Sequence, residues 1–446
     1  MDTHSSSNYP FPTQVSLQDQ YVGKKLEDLP TPAAVIDRAI VKGNCDAMLD
    51  VCQKLGVGFR AHVKSHKTLE LSKLQVGGSG PADFVVSTLI EAENLLSLAL
   101  ECQAEGRGCS ILYGVPIAPS AVPRLLCLAS KLAPGTLGIL IDNIDAFHRY
   151  HEQARDAHID VYIKIDTGYH RAGIQTTSPR FPELVKTVAE KVGESFRGFY
   201  SHYGHSYGGN SEDDAADGLT EELLGLEEAT KVVPKGFAGR LVLTVGATPT
   251  ATAAYNMVSP SPKARGFQAL LGRLKSKCTV ELHAGVYPLL DLQQVATHAR
   301  PPMGDASLSK ESIGMKMLVE VSSVYNERSK PEVLISAGSL ALGREPCKSY
   351  PGWGIIAGEL GNKGGIVYDE RDSRSGWIVG RISQEHGVVT WEGTREQAKE
   401  LAVGDKLMVW PNHACVAGAG FGWYLVVDSE QGGDTVVDVW VRWRGW

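Results

Sequence analysis

Short apolar runs alternate with amphipathic stretches through the first half of the chain. Residues 31–37 (Thr-Pro-Ala-Ala-Val-Ile-Asp) read as a buried strand. Val41, Cys45, Met48, Cys52 and Leu55 then recur at spacings of 4, 3, 4 and 3, one face of a helix that Gly56 closes. Apolar runs at 59–64, 83–88, 109–113, 137–141, 161–166, 196–202 and 240–245 predict seven more strands, each followed by a helical stretch such as 89–99 or 182–192. Eight β/α units over about 250 residues predict an α/β fold, a (β/α)8 TIM-type barrel whose strand interiors read as almost purely apolar. A doubly wound open sheet is the other arrangement that buries such an alternation. The acidic, helical stretch 211–236 reads as the crossover before the last barrel strand. From about residue 276 the period changes: 277–283, 315–325, 333–337, 377–382, 407–409 and 436–442 alternate or are β-branched, between glycine-rich turns. The expected organisation is a partly disordered tail over 1–28, a barrel over 29–275 and an all-β domain over 276–446.

Composition fits this picture and removes several functions. A chain of 446 residues with 43% hydrophobic and 21% charged positions can bury a large core, and its 48 glycines suit a turn-rich fold. A net charge of -7 argues against nucleic acid or an anionic membrane as the main partner. No apolar run approaches the roughly 18 residues of a membrane span. Residues 1–7 lack a signal pattern and read as a cytosolic tail, so a cytoplasmic location is expected. The eight cysteines are scattered without a CxxC pair, as expected of reduced core thiols, with Cys415 as the exception.

The active site of a barrel is built at the C-terminal ends of its strands. On the predicted strands, that rim gathers Lys64, the turn Asp166–Gly173 with Arg171, His202 with Tyr203, His205 and Tyr207 beyond it, and the small-residue turn 246–250. Lys64 is either a solvated lysine at a strand end or a nucleophilic amine, and like charge from His62, His66 and Lys67 would favour the second. Gly246 to Thr250 offers backbone N–H groups and hydroxyls suited to a phosphate. His202 is also readable as a satisfied core histidine. In the β-domain, His413 and Cys415 lie two positions apart; on an extended chain both would face one way and could bind one metal ion. An imidazole with a thiolate suits zinc, and two protein ligands would leave positions open.

Four motifs, in order, carry a resemblance: Arg60-Ala61-His62-Val63-Lys64-Ser65-His66-Lys67-Thr68, Asp166-x-Gly-x-x-Arg171-x-Gly173, Ser201-His202-Tyr203-Gly204 and Asn412-His413-Ala414-Cys415. From about Leu29 to the C-terminus the chain resembles the eukaryotic D-serine dehydratase/D-threonine aldolase group of alanine-racemase-like, fold type III enzymes. The resemblance implies pyridoxal 5'-phosphate (PLP) at the barrel mouth with a zinc ion beside it. It also implies Lys64 as the cofactor-bearing lysine, Arg171 at the cofactor's phenolic oxygen, His202 against the pyridine ring and Tyr207 facing the pyridine nitrogen. Gly246, Thr248, Gly285 and Tyr287 are similar to the phosphate cradle, and His413 and Cys415 to the zinc ligands. A cysteine at the second ligand position resembles the dehydratases; an aspartate there resembles the aldolases. The chain departs from the family after Cys415, where Val-Ala-Gly-Ala-Gly-Phe-Gly replaces a proline and a polar turn.

The implied activity is elimination of water from a D-amino acid with a β-hydroxyl, D-serine first with D-threonine as a further substrate, giving pyruvate and ammonia from D-serine. The alternatives are a D-threonine aldolase and a non-catalytic PLP-binding protein; a racemase would have no use for His413 and Cys415. A homodimer is expected, because the β-domain must meet a barrel mouth and fold type III enzymes are usually dimers.

Overall fold

The computed structural model describes residues 12–446 except 156, 238–239, 259, 305–306 and 358–365. Strand β1 (Ala33–Asp37) leads through helix Arg38–Leu55 into β2 (Gly58–His62). The predicted helix face is buried as expected, and Gly56 ends the helix in the left-handed region at φ 62°. There follow β3 (Ala82–Val86), β4 (Cys109–Pro116), β5 (Leu137–Ile141), β6 (Asp160–Ile165), β7 (Phe196–Ser201), β8 (Val242–Val245) and β9 (Thr279–Ala284). Strands β2 to β9 pair in parallel, in order, and close into a barrel.

The TIM-type barrel and separate β-domain stand, but two strands exchange places. β1 lies outside the barrel, antiparallel to β10 (Met315–Tyr325) and parallel to β16 (Trp423–Val427). β9, assigned from the sequence to the β-domain, is the strand that closes the barrel between β8 and β2. The boundary at 275/276 therefore falls one strand early, and the helix Glu212–Thr230 precedes the seventh barrel strand rather than the last.

In the β-domain, β11 (Glu332–Ile335), β14 (Gly387–Glu392), β13 (Gly376–Ile382), β12 (Gly354–Ala357) and β15 (Lys406–Pro411) follow one another, and β10 pairs with both ends of the series. The first half of β10 meets β15 and its second half meets β11, which closes an antiparallel ring of six strands. β1, β16 and β17 (Asp438–Val441) extend the sheet from β10. The expected tail, partly disordered over 1–28, contains one helix among its described residues. Residues 1–11 lie outside the described residues, but helix Gln14–Tyr21 buries Leu17 and Tyr21, and Gln18 bonds Asp438 at 2.8 Å.

Alternation along the barrel strands sends one set of side chains to the helices and one set inward. The outward set, such as Val161, Ile163, Phe199 and Leu243, joins the main apolar core. The inward set is not purely apolar. Val85, Leu112, Leu140, Tyr162, Tyr200 and Val242 form one layer, but Arg60, Lys164, Glu281 and His283 are buried with them. Arg60 Nε donates to Glu281 Oε2 at 2.9 Å, and Nη2 donates to Oε1 at 3.2 Å. Among the described residues no helix is long and apolar enough to cross a membrane.

Candidate active site

β2 ends in a short turn, Val63–Ser65, that holds Lys64 half-buried at the C-terminal rim of the barrel. His62 and Ser65 are buried on either side of it, and His62 Nε2 lies 2.8 Å from Ser87 Oγ. The expected like charge around Lys64 is not provided by its sequence neighbours. His66 turns onto helix Leu69–Val76, where Nε2 meets Gln75 Oε1 at 2.9 Å and Nδ1 accepts from the Thr68 N–H at 3.1 Å. Burial lowers its pKa to about 3, so it stays neutral. Burial likewise holds His62 well below the usual imidazole value. Lys67 pairs with Glu91 at 3.0 Å.

Arg171 stands on the turn after β6. Asp166 builds that turn, its Oδ1 accepting from the N–H groups of Gly168 and His170 at 3.0 Å each. The guanidinium is exposed, 5.2 Å from the Tyr169 ring centroid. At the end of β7, His202 Nδ1 lies 2.8 Å from the Gly246 carbonyl oxygen, which fixes the imidazole. Burial and then the Lys64 charge keep it neutral. Its ring is 6.1 Å from that of His283, which stacks on Tyr200 at 4.3 Å. His283 Nδ1 meets Thr244 Oγ1 at 2.9 Å.

The residues read as the phosphate cradle separate into those at the mouth and one away from it. Gly246 has φ 143°, and an added Cβ would sit 2.2 Å from the His283 carbonyl oxygen, so only glycine fits. Its N–H donates to Glu222 Oε1 at 3.2 Å, which makes its part conformational rather than anion-binding. Thr248 opens helix Thr248–Met257, and its hydroxyl accepts from the Val286 N–H at 3.2 Å. A Cβ on Gly285 would lie 3.5 Å from Lys64 Cε, so this glycine leaves open floor beside the lysine. Tyr207 lies on the turn after β7, and burial, with Cys415 and Asp291 nearby, pushes its phenol above the usual value. Tyr287 is the residue the fold does not bring to the mouth: its ring packs edge-on against Phe59 at 5.4 Å, with the hydroxyl beside Cys45 and Gln75.

His413 and Cys415 come together by a turn, not along a strand. β15 ends at Pro411, and Cys415 lies in the first turn of the short helix Ala414–Ala417. Asn412 anchors the approach, its amide donating to the carbonyl oxygens of Glu345 and Gly352 at 2.9 and 2.8 Å. Asp291, buried, accepts from the Ala414 N–H at 2.9 Å. Burial opposes the His413 cation, but the Cys415 sulfur more than offsets it and raises the imidazole to about 9. Burial also opposes the thiolate, yet His413, Lys64 and Ser65 together hold Cys415 below the usual thiol value.

Cys415 Sγ lies 3.1 Å from Ser65 Oγ, the residue next to Lys64. The β-domain thus reaches the mouth of its own barrel. Among the described residues His413 Nδ1 is buried without a hydrogen-bond partner, and the thiol beside it is held below its usual value. These residues fit zinc. Among the described residues no group of three or more His, Cys, Asp or Glu is placed to hold a metal. Gly285 beside Lys64, the fixed neutral His202 and the helix start at Thr248 fit a flat phosphorylated cofactor.

Several residues of the site were not found from the sequence: Ser65, Lys164, Glu222, His283 and Asp291. Lys164 is buried with Nζ 4.5 Å from the Tyr200 ring centroid, and burial, then Arg171, lowers its pKa to about 8. Lys164 and His283 share the inward phase of their strands, and that phase was the available signal.

Comparison with known proteins gives this geometry a lineage. Residues 36–260 match the family model described as the alanine racemase N-terminal domain, and residues 314–427 match the one described as a putative serine dehydratase domain. The D-serine dehydratase of Schizosaccharomyces pombe is 36% identical over 455 residues, covering 100% of this chain and 99% of that protein. The D-serine dehydratase of Saccharomyces cerevisiae is 35% identical, covering 96% and 99%. Among solved structures, a metal-free form of a D-threo-3-hydroxyaspartate dehydratase variant superposes with a TM-score of 0.74 at 25% identity, covering 95% of this chain and 100% of that one. The chain is a lyase and belongs to the D-serine dehydratase family, on the alanine-racemase-like fold.

Proposed function

We propose that this enzyme is a PLP- and zinc-dependent D-serine dehydratase, which eliminates water from D-serine to give pyruvate and ammonia. One observation carries the reading: the sulfur of the His413–Cys415 pair lies 3.1 Å from the hydroxyl of Ser65, beside Lys64. A lysine that can bear PLP and a pair that can bear zinc thus face one substrate. When bound, PLP supplies an electron sink for negative charge at the substrate Cα, and zinc a Lewis acid for the β-hydroxyl.

The chain's own residues do the rest. Lys64 is the residue that would hold PLP, and its amine, at the rim of the barrel, would serve as the base for the proton on the substrate Cα. His202, neutral and fixed by the Gly246 carbonyl, offers a flat face to the pyridine ring. Arg171 presents its charge to the phenolic oxygen. Thr248, at its helix start, and Gly285, which leaves room beside Lys64, receive the phosphate. His413 and Cys415 would hold zinc, whose Lewis acidity would assist departure of the β-hydroxyl, beside Ser65 and Lys64. The product aminoacrylate hydrolyses to pyruvate and ammonia. A homodimer and a cytoplasmic location belong to this reading through the family likeness alone.

The test is incubation of the purified holoenzyme with D-serine and, separately, with D-threonine, with and without a zinc chelator. Pyruvate from D-serine that disappears with chelator supports the dehydratase. Glycine and acetaldehyde from D-threonine, without pyruvate from D-serine, would make it an aldolase, and no product from either would overturn both.

A further inference from the structure

Helix Glu212–Thr230 crosses from β7 to β8 and buries one acidic side chain completely, Glu222. Its Oε1 accepts from Ser201 Oγ at 3.1 Å and from the Gly246 N–H at 3.2 Å. Its Oε2 accepts from Thr250 Oγ1 at 3.1 Å. The chain of contacts continues at both ends. Ser201 Oγ lies 2.7 Å from Thr167 Oγ1, on the turn that carries Arg171, and Thr250 Oγ1 accepts from the Ala247 N–H at 2.9 Å. One carboxyl group therefore links the loop after β6, the end of β7 beside His202 and the turn after β8.

A buried carboxyl group is costly unless its oxygens are satisfied, and here both are. Burial raises its pKa to about 7, while the Ser201, Gly246 and Thr250 donors pull it back. The bonds have a direction. The N–H of Gly246 points at Glu222 and that of Ala247 at Thr250, both committed inward, which leaves the start of helix Thr248–Met257 as the donor surface of the turn.

We propose that Glu222 is the positioning residue for the phosphate end of the cofactor site, acting through Gly246 and Thr250 and holding that turn in register with the Arg171 loop. This rests on reading 246–250 as the turn that meets the phosphate. Glu222 touches neither cofactor nor substrate; its effect is on the shape of the turn.

The test separates the phosphate from the rest of the cofactor. The metal-loaded, PLP-depleted protein is titrated with PLP and, separately, with pyridoxal, which lacks the phosphate, and binding is read by visible absorbance. Wild type is compared with Glu222→Leu, Glu222→Gln and Thr250→Val. Loss of a buried hydrogen bond predicts that Glu222→Leu and Thr250→Val weaken PLP about tenfold, with pyridoxal changed less than about twofold. Glu222→Gln, which keeps an acceptor for the Gly246 N–H, recovers most of the PLP affinity. Should Glu222→Leu fail to fold, the nearly isosteric Thr250→Val reads the same bond. Equal losses for PLP and pyridoxal would make Glu222 a general structural residue and overturn the proposal, as would unchanged PLP affinity in both variants. A wild type that binds PLP no tighter than pyridoxal would overturn the phosphate reading itself.

Discussion

Ser65 turns two distant motifs into one site, because its hydroxyl reaches Cys415 while its backbone neighbour is Lys64. Partners that hold a metal ligand typically contribute 10- to 100-fold in affinity, so Ser65→Ala should weaken zinc by about tenfold or more in competition with a chelator. PLP binding should be unchanged by that substitution. His66 gives a prediction in pH. In the folded protein it stays neutral down to about 3, whereas its ordinary value is 6.5. The unfolded chain therefore binds more protons between these values, so the contribution is whole above pH 6.5 and is lost as pH falls, by up to about 1.4 kcal/mol per pH unit. His66→Asn should flatten that slope in urea unfolding between about pH 6.5 and 5. Lys64, His202, His413 and Cys415 were legible because each is an ionisable residue where an apolar run stops. Glu222 was not, because it sits among acids in Glu212–Thr230, and Glu221 beside it looks the same. The distinguishing signal was phase: Ala215, Leu219, Glu222 and Leu226 recur at spacings of 4, 3 and 4 and are all buried.

At the scale of elements, β1 and β9 explain where sequence reading went astray. Ala33–Asp37 is buried on both faces, so it carries the unbroken apolar run of a parallel barrel strand although it lies in the β-domain sheet. Thr279–Ala284 alternates because Glu281 and His283 point into the barrel, and alternation reads as half-exposed antiparallel strand. The inward glutamate is the partner of Arg60, so Glu281→Gln leaves a buried guanidinium without its counter-charge and should cost roughly 3–5 kcal/mol in urea unfolding. Gly246 tests the fit of β8 against β9. A methyl group there meets backbone at 2.2 Å at a φ that L residues avoid. Gly246→Ala should lose about 3 kcal/mol or more of stability and most of its PLP binding, read by thermal melting and absorbance titration.

For the whole molecule, the exchange of β1 and β9 means that the two domains are threaded through each other. A fragment cut at the boundary expected from sequence, ending at Lys275, lacks β9 and leaves the edges of β2 and β8 unpaired. It should be unfolded by circular dichroism and rapidly proteolysed, whereas the full chain is not. The same threading brings the β-domain turn to the rim of its own barrel, so Lys64 and the His413–Cys415 pair meet across about 350 residues of sequence. What unites the reading is that Lys64, rather than the ion-paired Lys67 or the buried Lys164, bears the cofactor at that meeting point. Borohydride reduction of the PLP-loaded enzyme, digestion and mass spectrometry test this most directly. The account predicts the phosphopyridoxyl label on Lys64; a label on Lys67, Lys164 or any other lysine, or none at all, would contradict it.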